Sequence, residues 1–73
     1  MEDSVKISYN PLWQTIADRG IRKNQFRLGA KISSSTYTKL INNDCITTDT
    51  LLKIANYLSC NVSEIVEFKD VNL

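Results

Sequence analysis

Ser34, Ser35, Thr38 and Lys39 are the side chains in this 73-residue chain whose types and spacing suit a chemical task. Offsets of one, four and five place all four along one side of a helix. Hydroxyls both donate and accept hydrogen bonds, and an ammonium donates to the O6 and N7 of guanine. Three short side chains near the start of a helix let it approach a surface closely, so the set suits the edges of bases in the major groove of a duplex. Catalytic chemistry finds no comparable set. The chain has no histidine, and Asp18, Asp44 and Asp49 make no spaced pair with a nucleophile or base. Cys60 has no base near it in sequence, so nothing meets the geometric requirements of an active site, and no enzyme is expected. Two cysteines, Cys45 and Cys60, fall short of the four Cys or His ligands of a structural zinc site. They read as small apolar residues in a reducing compartment, with no metal or other cofactor.

Ser33 is placed to cap the helix that carries this set, which is predicted from about Ser34 to Asn42 with Tyr37, Leu40 and Ile41 on its buried side. A preceding helix runs from about Lys23 to Ala30, with Phe26 and Ala30 facing the core. Arg22 stands where a capping Ser or Thr would be better, and Gly29 costs up to ~1 kcal/mol relative to Ala. Lys31-Ile32-Ser33 leaves room only for a tight turn. Two helices joined this way cross at a large angle, so one can lie over phosphates while the other enters a groove. Lys23–Asn42 is therefore the informative unit, a helix-turn-helix over residues 23–42.

Charge supports that reading once the chain is divided. Residues 1–40 hold seven cations against three acids, net +4, while residues 41–73 hold two against five, net −3. The window from Arg19 to Lys39 has six cations and no acid, a local field suited to a polyanion that the overall +1 conceals. Arg22, Lys23, Arg27, Lys31, Asn42 and Asn43 are the candidates for phosphate contact.

The remaining elements frame this unit. Val5, Ile7 and Tyr9 alternate with Lys6 and Ser8, which predicts a short strand or extended arm over residues 1–9 that must pair with something. Asn10-Pro11 opens a first helix with Asn10 as cap and Pro11 at the first helical position. Leu12, Trp13, Ile16 and Ala17 form its apolar stripe, which makes Trp13 a core residue rather than a base-stacking platform, and Gly20 ends it. Thr47 caps a fourth helix over Thr48–Leu58 with Leu51, Ile54, Ala55 and Leu58 inward. Asn61 and Glu64 suggest a capping box that opens a fifth, carrying Ile65 and Val66. The fold class is all-α: one domain over 1–73, five short helices, and possible short terminal β-strands, with the last helix and tail at 61–73. A domain of this size buries only about 60% of its unfolded surface, so a second copy is the simplest supplement to its core. Ile65, Val66, Phe68 and Val71 are the candidate dimer interface, with Val5 and Ile7 able to pair across strands. The acidic start at Met1–Asp3 is unlike a secretory signal, and no apolar run approaches the ~20 residues of a membrane span. A cytoplasmic protein with neither a membrane nor a small-molecule partner is expected.

Ser8-Tyr9-Asn10 with Leu12-Trp13, the run Ile32–Leu40, Leu51–Ala55, Leu58-Ser59-Cys60 and Glu64–Phe68 together resemble the phage Cro and repressor type of helix-turn-helix domain, also called XRE-type. The similarity spans about residues 7–68 and is closest to very small regulators of bacterial and mobile-element genomes. It implies a five-helix, lambda-repressor-like fold with helix three as the reader. Lys23 then opens the helix that touches phosphate, Ser34, Ser35, Thr38 and Lys39 match base-facing positions, and Asn42 and Asn43 follow where backbone contacts are common. Four positions depart from the pattern. Lys31 stands where the turn usually has Gly, Arg27 where Ala is frequent, and Ile41-Asn42 where relatives often have Gly and Lys. The lysine at the turn must adopt a left-handed conformation or alter the turn. Two functions are consistent with these residues. One is a sequence-specific, double-stranded DNA-binding transcriptional regulator, acting as a homodimeric repressor or autorepressor. The other is a protein-interaction module on the same fold, an antitoxin or an inhibitor of another regulator. The cation-only window favours the first; the near-zero net charge and the absent cation at Asn42 favour the second.

Overall fold

A computed structural model describes residues 5–70. The extended segment Val5–Ser8 (β1) leads into helix α1, Asn10–Asp18, which Tyr9 rather than Asn10 precedes as the cap. Asn10 is already helical, and the Ser8 hydroxyl accepts from its backbone N–H at 3.2 Å, doing two residues earlier what Asn10 was expected to do. Pro11 falls within the first turn, where its missing N–H leaves no bond unmade. Helix α2 spans Lys23–Gly29, α3 Ser34–Ile41 and α4 Thr48–Leu58. Ser33 and Thr47 cap α3 and α4 through their hydroxyls, which accept from the N–H groups of Thr36 and Thr50 at 3.2 Å each. Arg22 has no side chain able to cap α2. Gln25 compensates by turning its side-chain oxygen back to the Arg22 N–H at 3.0 Å.

One device stops α1, α2 and α3. Each is followed by a residue of positive φ, namely Gly20 at 69°, Lys31 at 59° and Asn43 at 59°. In each case the next residue's N–H reaches back five positions: Ile21 to Ile16, Ile32 to Arg27, and Asp44 to Lys39, at 2.8, 3.0 and 2.8 Å. This is the Schellman closure, and it tucks Ile21 and Ile32 toward the core. Ser59, at φ 51°, takes the same part after α4.

The expected fifth helix is instead a single 3-10 turn, Val62–Glu64, so the described residues form four α-helices and a two-stranded sheet. Glu64 does send a carboxylate oxygen to the Asn61 N–H at 3.3 Å, and the turn begins as the capping pattern indicated. Continuing the helix would engage the carbonyls of Glu64 and Ile65. Those carbonyls serve α1: the Thr15 hydroxyl donates to Glu64 at 2.9 Å and the Leu12 N–H to Ile65 at 3.2 Å. The chain then extends as β2, Glu67–Asp70, antiparallel to β1 with Ile7 opposite Phe68 and Lys6 opposite Lys69.

The core gathers residues from all four helices and the segments that join them: Tyr9, Leu12 and Ile16, Phe26 and Ala30, Ile32, Leu40, Ile54 and Leu58, and Ile65. Truncating a fully enclosed member such as Leu40 to Ala should remove about 2–5 kcal/mol, a large part of the stability of so small a domain. Ile41, expected beside Leu40 on the buried side of α3, is 47% exposed. It lies one step past the stripe formed by Tyr37 and Leu40, where no neighbouring element covers it. Cys60 packs against the core as a small apolar residue, whereas Cys45 is exposed in the loop before α4. No helix among the described residues is long and apolar enough to cross a membrane.

Candidate nucleic-acid interface

Helix α3 is fastened from behind and open in front. Leu40 is enclosed, and Tyr37 meets Trp13 edge to face with ring centroids 6.2 Å apart. Trp13 meets Phe26 of α2 in the same manner at 6.2 Å, so a single indole of α1 braces both helices of the motif. Trp13 is half-buried and packs against the core, which bears out its packing role. With the back of α3 held, Ser34, Ser35, Thr38 and Lys39 are all exposed on the other side.

Hydrogen bonds within the helix set what each of these can offer. The Thr38 hydroxyl donates to the Ser34 carbonyl at 3.0 Å, so it presents lone pairs and a methyl group outward. Ser33 receives the Thr36 N–H, donates to the Thr36 hydroxyl at 3.0 Å and lies 3.2 Å from the Ser35 hydroxyl. With the Ser33 proton directed to Thr36, Ser35 is the donor of that last pair and faces outward as an acceptor. Ser34 and Lys39 keep free donors. The front of α3 therefore has donor, acceptor and apolar points, the three features that differ among base pairs in the major groove. Ile41, on the same line as Ser34 and Thr38, adds an exposed apolar surface that periodicity alone assigned to the core.

The cations divide into different environments. Lys23 extends over the Trp13 ring, its ammonium 4.9 Å from the centroid, which holds the charge at the beginning of α2 while leaving the residue exposed. Arg22 and Lys31 are exposed, and Arg27 is half-buried on α2. Arg19, part of the cation-only window, turns instead to the carbonyl of Leu58 and ties the end of α1 to the end of α4. Its charge meets the negative end of a helix dipole, a structural use that composition does not distinguish from an external one. Asn42 and Asn43 are exposed after α3, and Asn43 already uses its side-chain oxygen to accept the Tyr9 N–H at 3.1 Å. Its amide nitrogen is left as the donor for an external oxygen.

The residues expected to join two copies also separate. Ile65 is fully enclosed within the monomer and is a core residue, because the 3-10 turn directs it inward beneath α1. Val66 is half-buried, Phe68 is 74% exposed, and Val71 lies outside the described residues. Beneath Phe68 runs an apolar groove of 440 Å³ lined by Ile7, Tyr9, Ile46, Leu51, Val62 and Val66.

Comparison with known proteins agrees with this geometry. Residues 11–70 match the family model of the Cro/C1-type HTH DNA-binding domain. Among solved structures, the transcriptional regulator VanUg is similar at 33% identity and a TM-score of 0.89, over 94% of this chain and 92% of that one. A search of curated proteins gave no match.

Proposed function

The chain belongs to the Cro/C1-type helix-turn-helix DNA-binding family, and from that premise we propose that it is a sequence-specific transcriptional regulator, a repressor or autorepressor that binds as a homodimer. The observation that carries this reading is the front of α3: four exposed polar side chains with distinct donor and acceptor roles on a helix braced from behind by Trp13 and Leu40. Ser34, Ser35, Thr38 and Lys39 read bases. Arg22, Lys23, Arg27, Lys31, Asn42 and Asn43 supply the phosphate contacts that set register and orientation. The likeness to a transcriptional regulator over nearly the whole of both chains supports a regulatory role. Two copies would present two reading helices to half-sites about one helical turn apart, so the operator should be close to palindromic.

Selection from a random-duplex library at two salt concentrations tests this. A recovered near-palindromic motif whose affinity falls steeply with salt is expected, because each neutralised phosphate releases counterions. Absence of any enriched sequence would overturn the reading in favour of a module that binds protein through the same fold.

A further inference from the structure

The reading face just proposed consists of polar residues with one isoleucine at its edge, and the inference here rests on that reading. We propose that Ile41 is a further specificity-determining residue, which packs with the methyl group of Thr38 against the 5-methyl group of a thymine in each half-site.

Ile41 ends α3, three residues after Thr38 and seven after Ser34. Those spacings put it on their side of the helix. They also carry it about 10 Å beyond Ser34 along the axis, the rise of about three base pairs. Leu40 is enclosed and Tyr37 half-buried, while Ile41 stays 47% exposed. Among the described residues it belongs neither to the core nor to the apolar side chains packed around it. The fold therefore gives no reason for an isoleucine here. Nor does the helix, in which a β-branched residue loses side-chain freedom. A single apolar residue on an unused surface calls for no explanation. Ile41 instead adjoins Thr38 on the helix surface and Asn42 in the chain, both assigned to the duplex.

The neighbouring hydroxyl sets the character of this spot. Thr38 donates to the Ser34 carbonyl at 3.0 Å, which ties its oxygen back to the helix and leaves its methyl group outward. Thr38 and Ile41 then form one apolar strip beside the polar row. In the major groove the methyl group belongs to thymine, whereas adenine, guanine and cytosine present donors and acceptors. A hydrocarbon set against those leaves them without partners. Asn42 and Asn43, as phosphate contacts, hold this end of α3 at the duplex, so Ile41 loses water on binding whichever base lies opposite. Thymine gives it an apolar contact in return.

The test uses the duplex that the parent protein selects, with each thymine of one half-site replaced in turn by deoxyuridine. This removes the methyl group and keeps the base pair. At one thymine the parent should lose affinity about fourfold, as expected for one buried methyl group. Ile41→Ala, its fold checked by circular dichroism, should bind the thymine duplex more weakly and show no further loss with deoxyuridine at that position. Ile41→Gln, a second variant of good helix propensity, should do the same. A parent indifferent to every deoxyuridine, or folded variants that keep its full losses, would overturn the assignment of Ile41. The selected motif would then still uphold a sequence-specific regulator. A parent that selects no motif would overturn both.

Discussion

Asn43 and Tyr9 hold the end of α3 to the start of the fold. The Tyr9 N–H donates to the Asn43 side-chain oxygen at 3.1 Å, and the Tyr9 hydroxyl donates to the carbonyl of the next residue, Asp44, at 2.6 Å. One side chain thus ends α3 with a left-handed residue, satisfies a backbone donor at the beginning of α1 and orients its remaining amide donor outward. Asn43→Ala should lower stability by about 1–3 kcal/mol, since it leaves the Tyr9 N–H unpaired and puts Ala in a left-handed conformation. Asn43→Gly should recover the conformational part alone. Urea unfolding of the two variants beside the parent separates the contributions, and an Asn43→Gly variant as stable as the parent would show that the hydrogen bond contributes nothing.

The same tyrosine gives the fold an alkaline limit. Burial, reinforced by the nearby Cys45 and Asp44, raises the Tyr9 pKa above its ordinary value of 10.0. A group raised on folding contributes stability that is complete below its unfolded pKa and is lost as pH rises toward the folded one. Unfolding free energy should therefore begin to fall near pH 10. Tyr9→Phe should be less stable at neutral pH by about 1 kcal/mol and should show a shallower alkaline decline. Denaturant titrations from pH 8 to 11 measure both, and parallel curves for the two proteins would exclude Tyr9 as the source.

Lys31 joins two opposed effects in one residue. Its φ of 59° strains a non-glycine backbone, while its ammonium is exposed at the turn between the two helices of the motif. Lys31→Gly should raise stability by about 1 kcal/mol and also reduce the salt dependence of DNA binding by about one ion. Thermal unfolding and affinities at several salt concentrations give the two readouts independently. An unchanged slope would remove Lys31 from the phosphate contacts.

Gly29, near the end of α2, reverses the usual helix preference. A Cβ there would meet the Tyr57 ring, 2.6 Å from Cζ and 2.8 Å from the hydroxyl. Gly29→Ala should therefore destabilise the protein by about 1–3 kcal/mol despite the better intrinsic propensity of Ala. In the Tyr57→Ala background the same change should become neutral or favourable. A stabilising Gly29→Ala in the parent would show that Tyr57 moves aside freely.

At the front of α3, Lys39→Ala and Thr38→Val address the proposed reading roles. Thr38→Val keeps the methyl group and removes the outward acceptor, so it should relax preference at one position of each half-site by about 1–3 kcal/mol. Lys39→Ala should lower affinity and relax a guanine preference. Binding to operator variants decides, and unaltered preference in both would mean that another face of the helix reads the duplex.

Periodicity and capping made most of the elements legible. Ser33 and Thr47 announce helices because a hydroxyl before an apolar repeat accepts the first free N–H, and the structure begins α3 and α4 immediately after them. Gly20 marks a helix end because only the residue itself need tolerate positive φ. Such signals are local, requiring nothing beyond a few neighbouring residues. The exposure of Ser34, Ser35, Thr38 and Lys39 followed from their places opposite Tyr37 and Leu40 for the same reason.

What only tertiary structure decided depends on partners distant in sequence. Asn61 and Glu64 begin a turn as a local pattern should, yet its extension into a helix depended on whether α1 would take the carbonyls of Glu64 and Ile65, and Thr15 and Leu12 do so from about fifty residues away. Arg19 looked like any other member of a basic window until the end of α4 supplied its carbonyl. Ile41 and Ile65 exchange their expected places, one exposed and one enclosed, because an apolar side chain is buried only where another element arrives to cover it. A sequence read locally gives the capacity of each residue to pack or to bond; the fold determines which of its possible partners is there.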